Sequence, residues 1–90
     1  MHQVTGEYQD DYNSKFKKRF YLNADQGFSN NWNPPIHWKG TVDGISVEFT
    51  QTERHGDDKD CYDWSYFPER LSSAIPFIVK AIDDAMRIMD

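Results

Sequence analysis

Asp43-Gly44 lies between two runs that alternate apolar and polar residues, and no other feature of the chain restricts its fold as strongly. A two-residue hairpin loop that matches strand twist needs positive φ at both central positions, and Asp-Gly is among the dipeptides that best tolerate this. With the turn placed there, the register follows by counting outward. Val42 faces Ile45, Gly40 faces Val47, Trp38 faces Phe49 and Ile36 faces Gln51, an almost wholly apolar set on one side of the ribbon. The other side pairs Thr41 with Ser46, Lys39 with Glu48 and His37 with Thr50, polar throughout and with one opposite-charge pair. Turn chemistry and binary pattern agree on a hairpin over 36–51.

Patterns elsewhere are weaker. From Lys15 the chain reads Lys-Phe-Lys-Lys-Arg-Phe-Tyr-Leu; Phe16, Phe20 and Leu22 share one parity, Lys17, Arg19 and Tyr21 the other, as in a half-buried strand. Lys18 interrupts the apolar parity, which points to an edge strand guarded against pairing with another chain. Tyr62, Trp64 and Tyr66 alternate with Asp63 and Ser65 and suggest a further strand. Residues 1–14 show no period beyond Val4, Tyr8 and Tyr12 recurring every four positions, and read as a lead-in segment. Residues 23–35 are rich in Asn, Asp, Gln, Gly and Ser and end at Pro34-Pro35. They read as a long loop that carries Phe28 and Trp32, and that is functional or folded on its own aromatic side chains.

Toward the carboxyl end, Leu71, Ile75, Ile78, Ile82, Ala85 and Met89 recur at helical intervals and form one apolar stripe. Pro76 would remove an amide donor and crowd the preceding turn of a helix interior. Either Ser73 caps a helix whose first turn holds Pro76, with Pro68-Glu69-Arg70 as a separate turn, or one helix from Pro68 is kinked. The capped arrangement is favoured. The expected fold is α+β: a small antiparallel sheet of three or four strands, including the 36–51 hairpin, covered by a C-terminal helix. Ninety residues leave no room for a second core, so 1–90 is expected to be a single domain.

A formal charge of −5, from 15 acidic and 10 basic side chains, disfavours a protein that grips nucleic-acid phosphates. Lys15, Lys17, Lys18 and Arg19 beside Phe16 and Phe20 look like a stacking platform in isolation. Against an acidic remainder they read instead as a solvated strand that pairs with nearby carboxylates. The lone Cys61 cannot close an intramolecular disulfide, which suits a reducing, cytoplasmic setting. The amino-terminal residues hold no apolar signal run, and the longest apolar stretch, 74–79, is far below the roughly 20 residues a bilayer requires, so no membrane partner is expected.

No reaction motif stands out. His2, His37, His55 and Cys61 lack the spacing of a zinc site, and no cofactor is implied. Asp57, Asp58, Asp60 and Asp63 cluster like a cation loop, yet Lys59 takes a ligand's place and no acid closes the loop at its twelfth position. Neither a glycine-rich phosphate loop nor a nucleophile motif occurs, and no enzyme is expected.

What remains is a charge concentration. Between Glu53 and Glu69 six carboxylates stand against Arg54 and Lys59, interleaved with Tyr62, Trp64, Tyr66 and Phe67. Asp57, Asp58, Asp60 and Asp63 form a candidate surface that steers toward a basic protein, with Tyr62, Trp64, Phe28 and Trp32 as candidate anchors. Against this, alternate aromatics of a strand would point into the core. The expectation is a small acidic module that inhibits or neutralises a larger, nucleic-acid-handling protein, by analogy of size and charge with immunity proteins and phage-encoded anti-defence inhibitors. The alternative is a structural or assembly domain, either a homodimer or one paired with a neighbouring subunit.

Overall fold

A computed structural model describes residues 2–9, 17–26, 32–54 and 58–88. Five strands succeed one another as an antiparallel meander: β1 (His2–Tyr8), β2 (Lys18–Ala24), β3 (Ile36–Val42), β4 (Ile45–Gln51) and β5 (Tyr62–Tyr66). A 3-10 turn (Lys59–Cys61) precedes β5, and a second 3-10 helix (Glu69–Ala74) runs directly into α1 (Ile75–Ile88). The α+β class is as expected, but the sheet has five strands rather than three or four.

The β3–β4 hairpin has the expected register from Val42↔Ile45 out to Ile36↔Gln51, and its turn residues have the required left-handed backbone, with φ of 53° at Asp43 and 77° at Gly44. Ile36, Trp38, Val42, Val47 and Phe49 are buried on one side. Burial of a side chain of this size contributes about 1.5–3 kcal/mol. Gln51 closes the same side without exposing itself. It accepts from Trp38 Nε1 at 3.1 Å and donates to the Glu53 carbonyl at 2.8 Å, with Met86 Sδ of α1 at 3.2 Å, so the buried amide is satisfied.

The additional strand is β1, formed by residues whose spacing suggests only a lead-in segment. Val4 pairs with Leu22, Gly6 with Phe20 and Tyr8 with Lys18. Val4 and Tyr8 are buried, while a Cβ at Gly6 would stand 2.5 Å from Phe20 Cζ. The Phe20 ring therefore fills the space a side chain would need. With β1 outside it, β2 is an interior strand and not the expected edge. It begins at Lys18, whose Nζ lies 3.7 Å from Asp43 Oδ2 at the rim of the sheet. It also extends through Ala24, which shortens the loop expected over 23–35. In that connection Gln26 Nε2 donates to the Asn33 carbonyl at 3.1 Å, and Trp32 is buried edge-on against Trp38.

β5 departs from simple alternation. Thr50 pairs with Asp63 but Glu48 pairs with Tyr66, so Trp64 and Ser65 together stand opposite Phe49 in a bulge. The extra residue reverses the parity of the rest of the strand. Tyr62 is buried and Trp64 half-buried on the core side, whereas Tyr66 turns to the opposite side and is 61% exposed.

α1 covers the apolar side of the sheet and approaches β1 most closely. Pro76 falls in its first turn, where a missing amide costs little. Ser73 lies inside the 3-10 helix rather than at an extended cap, so the chain enters α1 from a tighter helix. The buried stripe runs through Leu71, Ala74, Ile78, Ile82 and Met86, with Val79 beside it. Ile75 and Ala85 sit at its half-buried margin, and Met89 lies outside the described residues. Asp83, also buried, is paired with Arg87 one turn later at 2.8 Å.

Gly40 is the tightest point of the sheet. A methyl group there would land on the Tyr21 carbonyl oxygen and within 2.9 Å of Leu22 Cα, both of them backbone atoms of β2. Gly44 has open space around it and only a backbone preference to lose. Gly40→Ala should therefore cost about 3 kcal/mol, the upper end of usual overpacking, and Gly44→Ala about 1 kcal/mol. Urea unfolding of the two variants checks the order, and equal losses would contradict the assigned β2–β3 packing.

Candidate functional site

The sheet has one face under α1 and one face open. Tyr21, 42% exposed, lies on the open face, and Arg19 next to it is held above its ordinary range by a hydrogen bond with Tyr21 and by Glu7, whose Oε1 is 3.2 Å away. Lys17 lies 3.9 Å from the same Glu7 carboxylate and Lys18 reaches Asp43. Water screens contacts between such exposed groups, so they add little to stability. They nonetheless balance much of the positive charge of this run within the sheet. Lys15 and Phe16 are outside the described residues.

The acidic stretch organises itself around Asp58. Its side chain accepts from Asp60 N at 3.1 Å and its carbonyl from Cys61 N at 2.9 Å, which caps the 3-10 turn before β5. Thr52 N and Thr52 Oγ1 each donate to the Cys61 carbonyl at 2.8 Å, tying the turn to the end of β4. The Trp64 indole donates to the Lys59 carbonyl at 3.0 Å, so the turn also fixes the ring. Trp64 packs against Phe49 at 4.6 Å, Tyr62 at 5.3 Å and Phe67 at 4.9 Å between ring centroids.

Between this turn and the start of α1 lies a groove in two parts that share lining residues. One part, about 430 Å³, is lined by Asp60, Tyr62, Trp64, Phe67, Pro68 and Glu69. The adjoining part, about 610 Å³, is lined by Asp58, Pro76 and Val79, and Lys59, Ser72 and Ile75 line both. Asp58, Asp60 and Glu69 are exposed on its rim, while Trp64 and Phe67 are half-buried in its wall. Asp63 is exposed but points to the open face, opposite Thr50.

The candidate anchors thus divide. Trp64 lines the groove, Tyr62 lines it too but is buried, and Trp32 is 2% exposed within the core. Asp57 and Phe28 lie outside the described residues. Phe67 and Glu69, which lie in the acidic, aromatic stretch without being singled out as contacts, complete the groove with Ile75, which the sequence marks only as a position of the helical stripe. The signal that could find the first two is their place in that stretch, on either side of Pro68. No family model, curated protein or solved structure matches this chain. The groove must be read from its own chemistry.

Among the described residues no three of His, Cys, Asp and Glu stand close enough to share an ion, and no helix is long and apolar enough to cross a membrane. Cys61 is a free thiol at the back of the turn. Partial burial pushes its pKa up, and Glu53, whose Oε2 accepts from Sγ at 3.5 Å, adds to the effect. A raised pKa leaves less thiolate at pH 8, and the thiolate is the reactive form. Cys61 should therefore react with iodoacetamide more slowly in the folded protein than in urea, and Glu53→Gln should speed the folded reaction. A folded rate equal to the unfolded one would contradict the placement of the thiol.

Proposed function

We propose that this chain is a small protein-binding module whose acidic, aromatic edge occupies and blocks a basic surface on a larger partner. The supporting observation is the coincidence in one groove of exposed carboxylates, Asp58, Asp60 and Glu69, with the ring wall of Trp64 and Phe67. Rim carboxylates raise the encounter rate with a basic protein, while rings at the centre of a contact supply most of its affinity. A surface that handles nucleic acid is basic because it meets phosphates, so an acidic module of this kind would compete for it. Inhibition or neutralisation results from occupancy, without a reaction. A cytoplasmic setting suits the free Cys61 thiol.

A second reading rests on β5 as the last strand of the sheet, where unpaired backbone groups could accept a strand from a second copy or a neighbouring subunit. It ranks lower because β5 is only five residues long, bulged, and carries Asp63, all features that discourage strand addition.

Capture from cell lysate at low and high salt tests the first reading when wild type is compared with Asp60→Lys/Glu69→Lys, which reverses two carboxylates of the groove. Wild type should retain a basic protein that high salt releases, and the reversed variant should bind it at least about tenfold more weakly. Unchanged capture by the variant would exclude the acidic edge as the contact. Recovery of the chain with itself alone, with a molecular mass that rises with concentration, would favour the strand-pairing reading.

A further inference from the structure

We infer that the groove beside β5 receives an arginine side chain of a basic partner segment, an inference that rests on the protein-binding reading above and narrows it to one chemistry. An acidic surface alone attracts any cation, and lysine would serve as well as arginine. What distinguishes this groove is that its carboxylates share it with rings. Trp64, Phe67, Asp60 and Glu69 all line the same part of it. A guanidinium is planar and weakly hydrated. It can lie against a ring while its edge donates two parallel hydrogen bonds to a carboxylate. An ammonium is a compact, strongly hydrated charge that meets the carboxylate without the fork.

The remaining features fit the same occupant. Ile75 lines both parts of the groove and offers an apolar side chain against which the methylene stem of an arginine can pack. Among the described lining residues Lys59 is the only cation, against Asp58, Asp60 and Glu69, so the groove remains net negative. The Trp64 indole N–H is already engaged by the Lys59 carbonyl at 3.0 Å, which holds the ring in place before any ligand arrives.

The test is a titration of the ¹⁵N-labelled full chain at low salt with capped oligo-arginine and oligo-lysine peptides of equal length, monitored by NMR. The oligo-arginine peptide should bind about two- to fivefold more tightly, the value of one exposed ring–cation contact. Its shifts should centre on the Trp64 indole N–H and the Asp60 and Glu69 amides. Asp60→Asn/Glu69→Gln changes two exposed side chains to their uncharged counterparts, and should weaken the binding of both peptides and narrow the arginine preference by removing the carboxylates that accept the guanidinium fork. Equal affinity for both peptides, with shifts spread over the acidic surface, would overturn the arginine assignment and leave the acidic-edge reading standing. Binding of neither peptide would overturn both.

Discussion

Side chains on a strand change sides with every residue, so the side of the β3–β4 ribbon that is dry determines what every other element can cover. The left-handed backbone at Asp43 and Gly44 sets that choice, since a shift of one residue would bring Lys39 and Glu48 inward and turn Trp38 and Phe49 to water. Once it is made, β2 can pair only with Phe20, Leu22 and Ala24 inward, and β1 only with Val4 and Tyr8 inward. The close approach of β2 to Gly40 and of the Phe20 ring to Gly6 uses positions where a side chain is missing. α1 then lays Ile78, Ile82 and Met86 over the surface so formed, and Gln51 joins hairpin and helix through one buried amide.

The groove is a consequence of how this sheet ends. If β5 continued the alternation, Tyr66 would join Tyr62 and Trp64 on the core side. The bulge opposite Phe49 absorbs one residue instead, keeps Trp64 against Phe49 and sends Tyr66 to the open face. Pro68 and the second 3-10 helix then bring Glu69 and Ile75 back beside Trp64. The capped turn, β5 and the second 3-10 helix therefore hold the exposed acids and rings. Sites built on such elements are better defined than sites on loops alone.

Legibility in the sequence tracks the strength of local chemistry. The hairpin can be read to the residue because the turn dipeptide and two faces of alternation all agree. β1 cannot, because Gly6 replaces the middle member of its inward set, and a period of two with a gap looks like a period of four in Val4 and Tyr8. The partner that fills the gap, Phe20, is 14 positions away in the chain. Lys18 on the apolar parity suggests an edge strand, yet it sits at the end of β2, where the sheet rim already offers solvent and Asp43. The stripe of α1 is displaced by less than a turn, toward Met86, because the 3-10 entry rotates the helix relative to a regular continuation from Leu71. For the site, charge can be located from sequence more readily than burial: alternation allows Tyr62 to be either anchor or core, and the fold puts it, like Trp32, in the core.

The groove is the centre of this account, and hydrogen exchange on the chain bound to its captured partner tests it most directly. Protection on binding should fall on residues 58–67 and on the amides that open α1, with β2 and β3 unchanged on the open face. Protection centred on Tyr21, Lys39 and Thr41, with β5 and the turn before it unaltered, would contradict the account and place the working surface on the opposite side of the sheet.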